Sequence, residues 1–223
     1  MPRKKSSTGW TEAFLLPGMA ALAEKRQGLA AELARLRSEY EAVARDLAAA
    51  QRLRDVLLAG QGTPLVEAAG RVAGEVLAAI GLSVTRADRT DGLAIRQGQG
   101  GKVVAAVTVR GPLGHVRQAD LRRLLGLLEA VMPPTGKAPK GILIANAERR
   151  RDPRERAVAP FAPEVAQAAQ ARGICLLTSV QLFNIACESR RGALKDPRSL
   201  WEDLRATAGV FHKHNDWNQN LRA

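Results

Sequence analysis

The chain has 223 residues, with 34 Lys and Arg against 22 Asp and Glu, a formal net charge of +12 and a pI near 10.8. Hydrophobic residues at 46% and charged residues at 25% exclude a disordered chain, and 4% aromatic content in an Ala-, Leu- and Arg-rich background excludes an all-β sandwich. Two cysteines, Cys175 and Cys187, cannot build a disulfide framework, no apolar run reaches the roughly 18 residues of a membrane span, and no signal-type stretch follows the charged N-terminus, so a cytoplasmic protein without a membrane partner is expected.

Residues 1–19 read as a basic, flexible lead-in broken by Pro2, Pro17 and Gly18. Residues 20–59 read as a coiled-coil helix. Leu22, Leu29, Leu36, Val43, Ala50 and Leu57 recur every seven residues, and Arg26, Leu33, Tyr40, Leu47 and Arg54 fall four places after successive members of that series. A lone helix of this length gains little in water unless it buries its stripe, so self-association, most simply as a dimer, is expected through it.

Gly60-Gln61-Gly62-Thr63-Pro64 ends the coil, with Thr63 and Pro64 as the expected cap and first residue of the next helix. Leu65–Ile80 has helical spacing and closes on Gly81. Leu82–Ala87, Gly92–Arg96 and the β-branched run Lys102–Arg110 read as a meander of three strands, turned at Gly98-Gln99-Gly100-Gly101. Helix Ala119–Val131, strand Gly141–Ala145, helix Pro163–Arg172, strand Ile174–Thr178, helix Ser179–Cys187 and a closing helix Trp201–Thr207 follow. The order predicts an α/β domain over 60–211, a mixed sheet flanked by helices, with a polar, extended tail at 212–223. His212 and His214 alternate in that tail and read as part of it rather than as a metal clip.

The charge is uneven. The densest basic stretch holds Lys137, Lys140, Arg149, Arg150, Arg151, Arg154 and Arg156 against Glu148, Asp152 and Glu155. Basic surfaces draw polyanions, because neutralising phosphates releases condensed counterions. Nucleic acid, DNA foremost, is therefore the expected partner, with an acidic protein as the competitor.

Over roughly residues 51–211 the order of motifs resembles the restriction-endonuclease-like superfamily of PD-(D/E)XK nucleases, in the bacterial branch where a coiled coil precedes the nuclease-like domain. The likeness runs through Leu65-Val66-Glu67, Thr90-Asp91-Gly92-Leu93, Val107-Thr108-Val109-Arg110-Gly111, Arg117-Gln118, Lys140 to Asn146, Arg156, Leu176-Leu177-Thr178 and Leu182-Phe183. It implies a restriction-endonuclease-like fold. Members that cut use a strand Asp, a Glu-X-Lys on the partner strand and often a Glu from the first helix. Two carboxylates hold the divalent ion, and the amine orients the attacking water.

Here Asp91 matches the strand aspartate and Glu67 the helix glutamate, but Thr108 stands for the Glu and Arg110 for the Lys. A hydroxyl is a poor inner ligand for a hard cation, and a guanidinium clamps phosphate better than it moves protons. The expectation is a pseudoenzyme: a degenerate site of Glu67, Asp91, Thr108 and Arg110, needing no cofactor. Phosphates would be met by Arg110, Arg117, Arg122 and Arg123, and on a neighbouring loop by Arg149, Arg150, Arg151 and Arg154. Two alternatives stand beside it. One is an active endonuclease that holds Mg²⁺ with Asp91 and Glu67, with Lys102 reaching in from the strand's start. The other is a protein-interaction scaffold that binds no nucleic acid.

Overall fold

The Ala- and Leu-rich segment Met19–Ala59 forms one helix, α1, and the chain divides within it, at Ala50/Gln51, into two compact units. The computed structural model describes residues 16–87, 92–98, 100–133, 137–156 and 160–215. In the first unit the heptad series lies bare: Leu22, Leu29, Leu33, Leu36, Tyr40, Val43 and Leu47 are between 49% and 75% exposed. The series ends differently. Leu57, its last apolar member, is fully buried, and Leu53 one turn earlier is 7% exposed, both in the core of the second unit. The final turns of the stretch read as coil are therefore part of the globular domain.

The second unit is built on a six-stranded sheet in the order β1-β2-β3-β4-β5-β6. Its strands are β1 (Leu82–Arg86), β2 (Gly92–Gln97), β3 (Val103–Arg110), β4 (Lys140–Ala145), β5 (Cys175–Thr178) and β6 (Gly209–Val210). β1, β2 and β3 pair antiparallel, and β3 through β6 pair parallel, so the sheet is mixed as expected. Alternation along β3 splits the core in two. Ala105, Val107 and Val109 face a cluster with α2 (Gly62–Leu77), α5 (Ser179–Arg190), α6 (Pro197–Ala206) and the end of α1. Ala106 faces the other cluster, with α3 (Gln118–Ala130) and α4 (Pro163–Ala171). Among the described residues this is an α/β/α arrangement, with Cys175 and Trp201 in the first core.

Three local departures from the expected elements have physical causes. The second helix begins at Gly62, with extended Gln61 in the capping position, so Thr63 and Pro64 lie inside its first turn rather than at its start. It tightens into a 3-10 turn, Ala78–Ile80, closed by Gly81 at φ 75°, a left-handed conformation that suits glycine. The closing helix starts at Pro197, four residues before Trp201, because the Asp196 carboxylate accepts from the Arg198 amide and caps it.

The carboxyl ends of β3 and β4 are covered by the α1–α2 link. Asn146, fully buried, receives its backbone bond from the end of β3, its N–H donating to Arg110 O at 2.7 Å. Its Nδ2 donates to Gly60 O at 2.9 Å. Arg156 donates to Asn146 Oδ1 at 2.8 Å and to the carbonyls of Leu58, Arg149 and Arg151. Gly111 has no room for a side chain, since a Cβ there would sit 2.9 Å from Gly60 O and 3.1 Å from Gln61 Cα. Arg156→Ala strands several half-buried acceptors and is expected to destabilise the second unit by about 2–4 kcal/mol, read as a lower urea midpoint. Arg156→Lys, lacking the fork, is expected to recover less than half of that loss. A midpoint unchanged in the alanine variant contradicts the role given to this guanidinium.

Candidate functional site

Thr108 and Arg110 sit at the carboxyl end of β3, the edge where open α/β sheets ordinarily bind ligands. β3 delivers Thr108 and Arg110 two residues apart, on the same face. Thr108 is 5% exposed, paired in register with Gly92 on one side and Leu143 on the other. Arg110 turns toward α3, where its Nε donates to Asp120 Oδ1 at 2.9 Å, both side chains largely withdrawn from water. The other oxygen of Asp120 accepts from the Arg117 amide at 3.3 Å, while the Asp120 amide donates to Arg117 O at 3.0 Å. Asp120 thus closes the first turn of α3 and neutralises Arg110 in one contact.

Glu67 lies on α2, which packs on the sheet face opposite α3. It is exposed and pairs with Arg86 at 3.9 Å. Glu67 and Arg110 are each engaged by a different opposite charge, from elements on different faces. Asp91 lies outside the described residues. Lys102 precedes β3, whose eight residues separate it from Arg110 by roughly 25 Å, so it cannot reach in as expected. Among the described residues no group of three metal-ligating side chains converges. The magnesium pair expected of an active enzyme, Asp91 with Glu67, includes a residue outside the described ones; of its described neighbours, Glu67 is exposed on one face and Thr108, on the other, is a buried neutral hydroxyl.

The eight arginines expected to meet phosphate fall into two groups. Four have internal duties. Arg110 holds Asp120, Arg149 Nε donates to Gly111 O at 3.1 Å, Arg151 pairs with Glu148 at 3.2 Å, and Arg154 clasps Asp152 through both its Nε and Nη2. The other four, Arg117, Arg122, Arg123 and Arg150, are exposed, and their side chains have no carboxylate partner among the described residues. Arg117 opens α3 and Arg122 and Arg123 lie on its solvent face, one turn along. Arg150 belongs to the loop that Arg149 ties to Gly111, so it shares the neighbourhood of the loop leading into α3.

Two features escaped the sequence reading. Asp120 is one, although an acid three residues into a helix is a recognisable capping signal. The other is a polar row on α5. Gln181, 1% exposed, donates to Phe211 O at 2.7 Å and Lys213 O at 2.8 Å. Asn184 donates to His214 O at 2.8 Å, and Glu188 pairs with His214 Nδ1 at 2.9 Å. Residues 211–215 are therefore strapped along α5, and the remaining tail, 216–223, lies outside the described residues.

No protein-family model, no curated protein and no solved structure matches the chain. Among the described residues no helix is long and apolar enough to cross a membrane.

The Arg154 clasp has a pH signature. Its side-chain hydrogen bonds, followed by the Arg154 backbone amide, hold the Asp152 carboxyl down at about 2, from an ordinary 3.8. The folded value lies below the unfolded one, so the small stabilisation from this surface pair is complete above the ordinary value and disappears as pH falls through about 2. Carboxyl-carbon NMR should give a midpoint near 2 for Asp152, moving up toward but not reaching the ordinary value in Arg154→Ala, where the backbone amide at that position still donates. A midpoint that does not move in the variant excludes the clasp.

Proposed function

We propose that this chain is a catalytically degenerate, restriction-endonuclease-like protein that binds nucleic acid, DNA foremost, through phosphate contacts and pairs with a second copy of itself through α1. The observation that carries the reading is the condition of the two β3 positions. A cleaving site needs an acid and an amine there. Instead a buried hydroxyl occupies one, and a guanidinium already neutralised by Asp120 occupies the other.

Phosphate contact does not need either position. A duplex presents one charge about every 1.7 Å of its axis, and any solvent-facing cation without a protein partner can displace a counterion from it. Arg117, Arg122 and Arg123 on α3, with Arg150 on the adjacent loop, meet that description. Arg110, Arg149, Arg151 and Arg154 hold the supporting loops in place. The contacts are to backbone charge, so binding is steeply salt-dependent and weak in sequence preference. The exposed heptad stripe of α1 favours a second copy of the same helix, which buries it by knobs-into-holes packing. Two basic domains on one dimer then gain avidity on a single duplex.

Fluorescence anisotropy with a labelled duplex tests the binding. Affinity should fall by orders of magnitude between about 50 and 200 mM salt. Arg122→Glu with Arg123→Glu should weaken binding at least about tenfold and flatten the salt slope. Binding indifferent to salt and to those arginines, or no binding at all, sinks the nucleic-acid reading and leaves the scaffold alternative. Mg²⁺-dependent nicking that Asp91→Ala abolishes restores the nuclease.

Sedimentation tests the pairing. The full chain should run as a dimer and Leu29→Asp with Leu36→Asp as a folded monomer, because a carboxylate in an apolar seam cannot be paired there. Equal masses for the two reject α1 as the pairing element.

A further inference from the structure

The opposite edge of the sheet is open. A cleft of about 950 Å³ lies at the amino ends of the parallel strands, large enough for an ordinary small-molecule ligand. Five cations line it: Lys102, Lys137, Lys140, Arg172 and Arg205. Glu202 is the sole carboxylate among the described residues lining it.

The convergence follows from topology. Lys102 immediately precedes β3, Lys137 precedes and Lys140 opens β4, and Arg172 and Arg205 come shortly before β5 and β6. Parallel strands begin at one edge, so basic residues scattered over a hundred positions of sequence arrive around one opening. Their charges come from several sides rather than along one strip.

Lys140 is the built part. Its side chain is half-buried, and its Nζ donates to Gly173 O and Thr207 O, each at 2.6 Å. Two of three ammonium protons are thereby oriented by carbonyl dipoles, yet no carboxylate pairs with it among the described residues. Burial holds this ammonium below its ordinary value; an ionised Cys175 would act against that fall, and the neighbouring Arg205 adds to it. Cys175, whose thiol burial pushes up to about 12, is uncharged near neutrality and supplies no counter-charge. A partly desolvated cation beside further cations is costly unless an anion arrives from outside. Leu125, Leu128 and Met132, from α3 and its following turn, give the cleft an aliphatic part.

We propose that this cleft binds a nucleoside polyphosphate, with the phosphate tail among Lys137, Lys140 and Arg205 and the base against the Leu125–Leu128–Met132 wall. A polyanion suits cations that converge from several sides better than a singly charged head group does, and charge-assisted bonds to phosphate oxygens satisfy the free ammonium and guanidinium protons. The wall asks for a ligand with an apolar face as well as charge. The site is independent of the arginines on the amino-terminal half of α3, so it can stand or fall apart from the nucleic-acid reading.

Isothermal titration of the full chain with ATP, tripolyphosphate and adenosine decides the matter. ATP should bind at least about tenfold tighter than tripolyphosphate, and adenosine should give no heat below about 1 mM. Lys137→Glu with Arg205→Glu, two solvent-facing positions, should weaken ATP at least about tenfold. Lys102→Glu, on the hairpin side, serves as a second variant and should weaken it about threefold or more. Arg122→Glu with Arg123→Glu should leave ATP binding intact. No ATP binding by about 1 mM overturns the proposal. So does equal affinity for ATP and tripolyphosphate, or cleft variants, folded by circular dichroism, that bind like the parent.

Discussion

Arg156 brings one guanidinium to four acceptors from two parts of the chain: Leu58 in the last turn of α1, and Asn146, Arg149 and Arg151 in the loop after β4. Burial lowers its pKa, with Glu148 and Asp152 acting against that fall, and it remains charged throughout the neutral range. Because the fork is planar and rigid, satisfying it fixes the relative positions of those carbonyls. Asn146 extends the same constraint by donating to Gly60 and receiving Arg156 while its backbone continues the ladder from Arg110. The result is that the end of α1, the α1–α2 link and the carboxyl ends of β3 and β4 are one hydrogen-bonded body.

That body determines what the carboxyl edge can do. In an open α/β sheet the crevice beyond the strand ends is normally free for ligand. Here the link between α1 and α2 crosses so close to Gly111 that no side chain fits there, and residues 211–215 are strapped along α5 by Gln181, Asn184 and Glu188. The basic loop after β4 is also less available than its composition implies. Arg149, Arg151, Arg154 and Arg156 all bond within the domain, so much of its charge organises the loop rather than facing solvent. Charge density along a sequence and charge presented to a partner are different quantities, separated by such pairings.

Which features were legible in the sequence follows from how local their causes are. β3 was legible because Val103–Arg110 combines β-branched residues with a glycine turn before it, and α3 because Leu121, Leu124 and Leu127 recur at helical spacing. The two-residue β6 was not, since Gly209 and Val210 have too little pattern and pair only because α6 delivers them beside β5. Alternation put Thr108 and Arg110 on one face from sequence alone. That Glu67 belongs to the other face was not legible, because it depends on which side of the sheet α2 packs. Lys102 failed as a rescue residue for a geometric reason: a strand has two ends, and adjacency in sequence to the wrong one is separation by its whole length. Leu57 continued the heptad but entered the core, since periodicity identifies an apolar face without naming what buries it.

The two edges of the sheet therefore divide the chemistry unequally. At the carboxyl edge two cations nearest the strand ends are matched internally, Arg110 by Asp120 and Arg149 by the Gly111 carbonyl, and the chain closes over its own strand ends. At the amino edge Lys140 is oriented by two carbonyls and left without a carboxylate among the described residues, with Arg205 close enough to add to its electrostatic cost. An ammonium held in that way is more costly in the free protein than in a complex with an anion, and the difference is available as binding free energy. The more costly unpaired cation of the domain therefore lies at the amino edge, where Lys140 has carbonyl partners and no carboxylate among the described residues. The arginines of α3 face solvent along a helix, whereas the cations of the cleft converge on one opening from four strand starts.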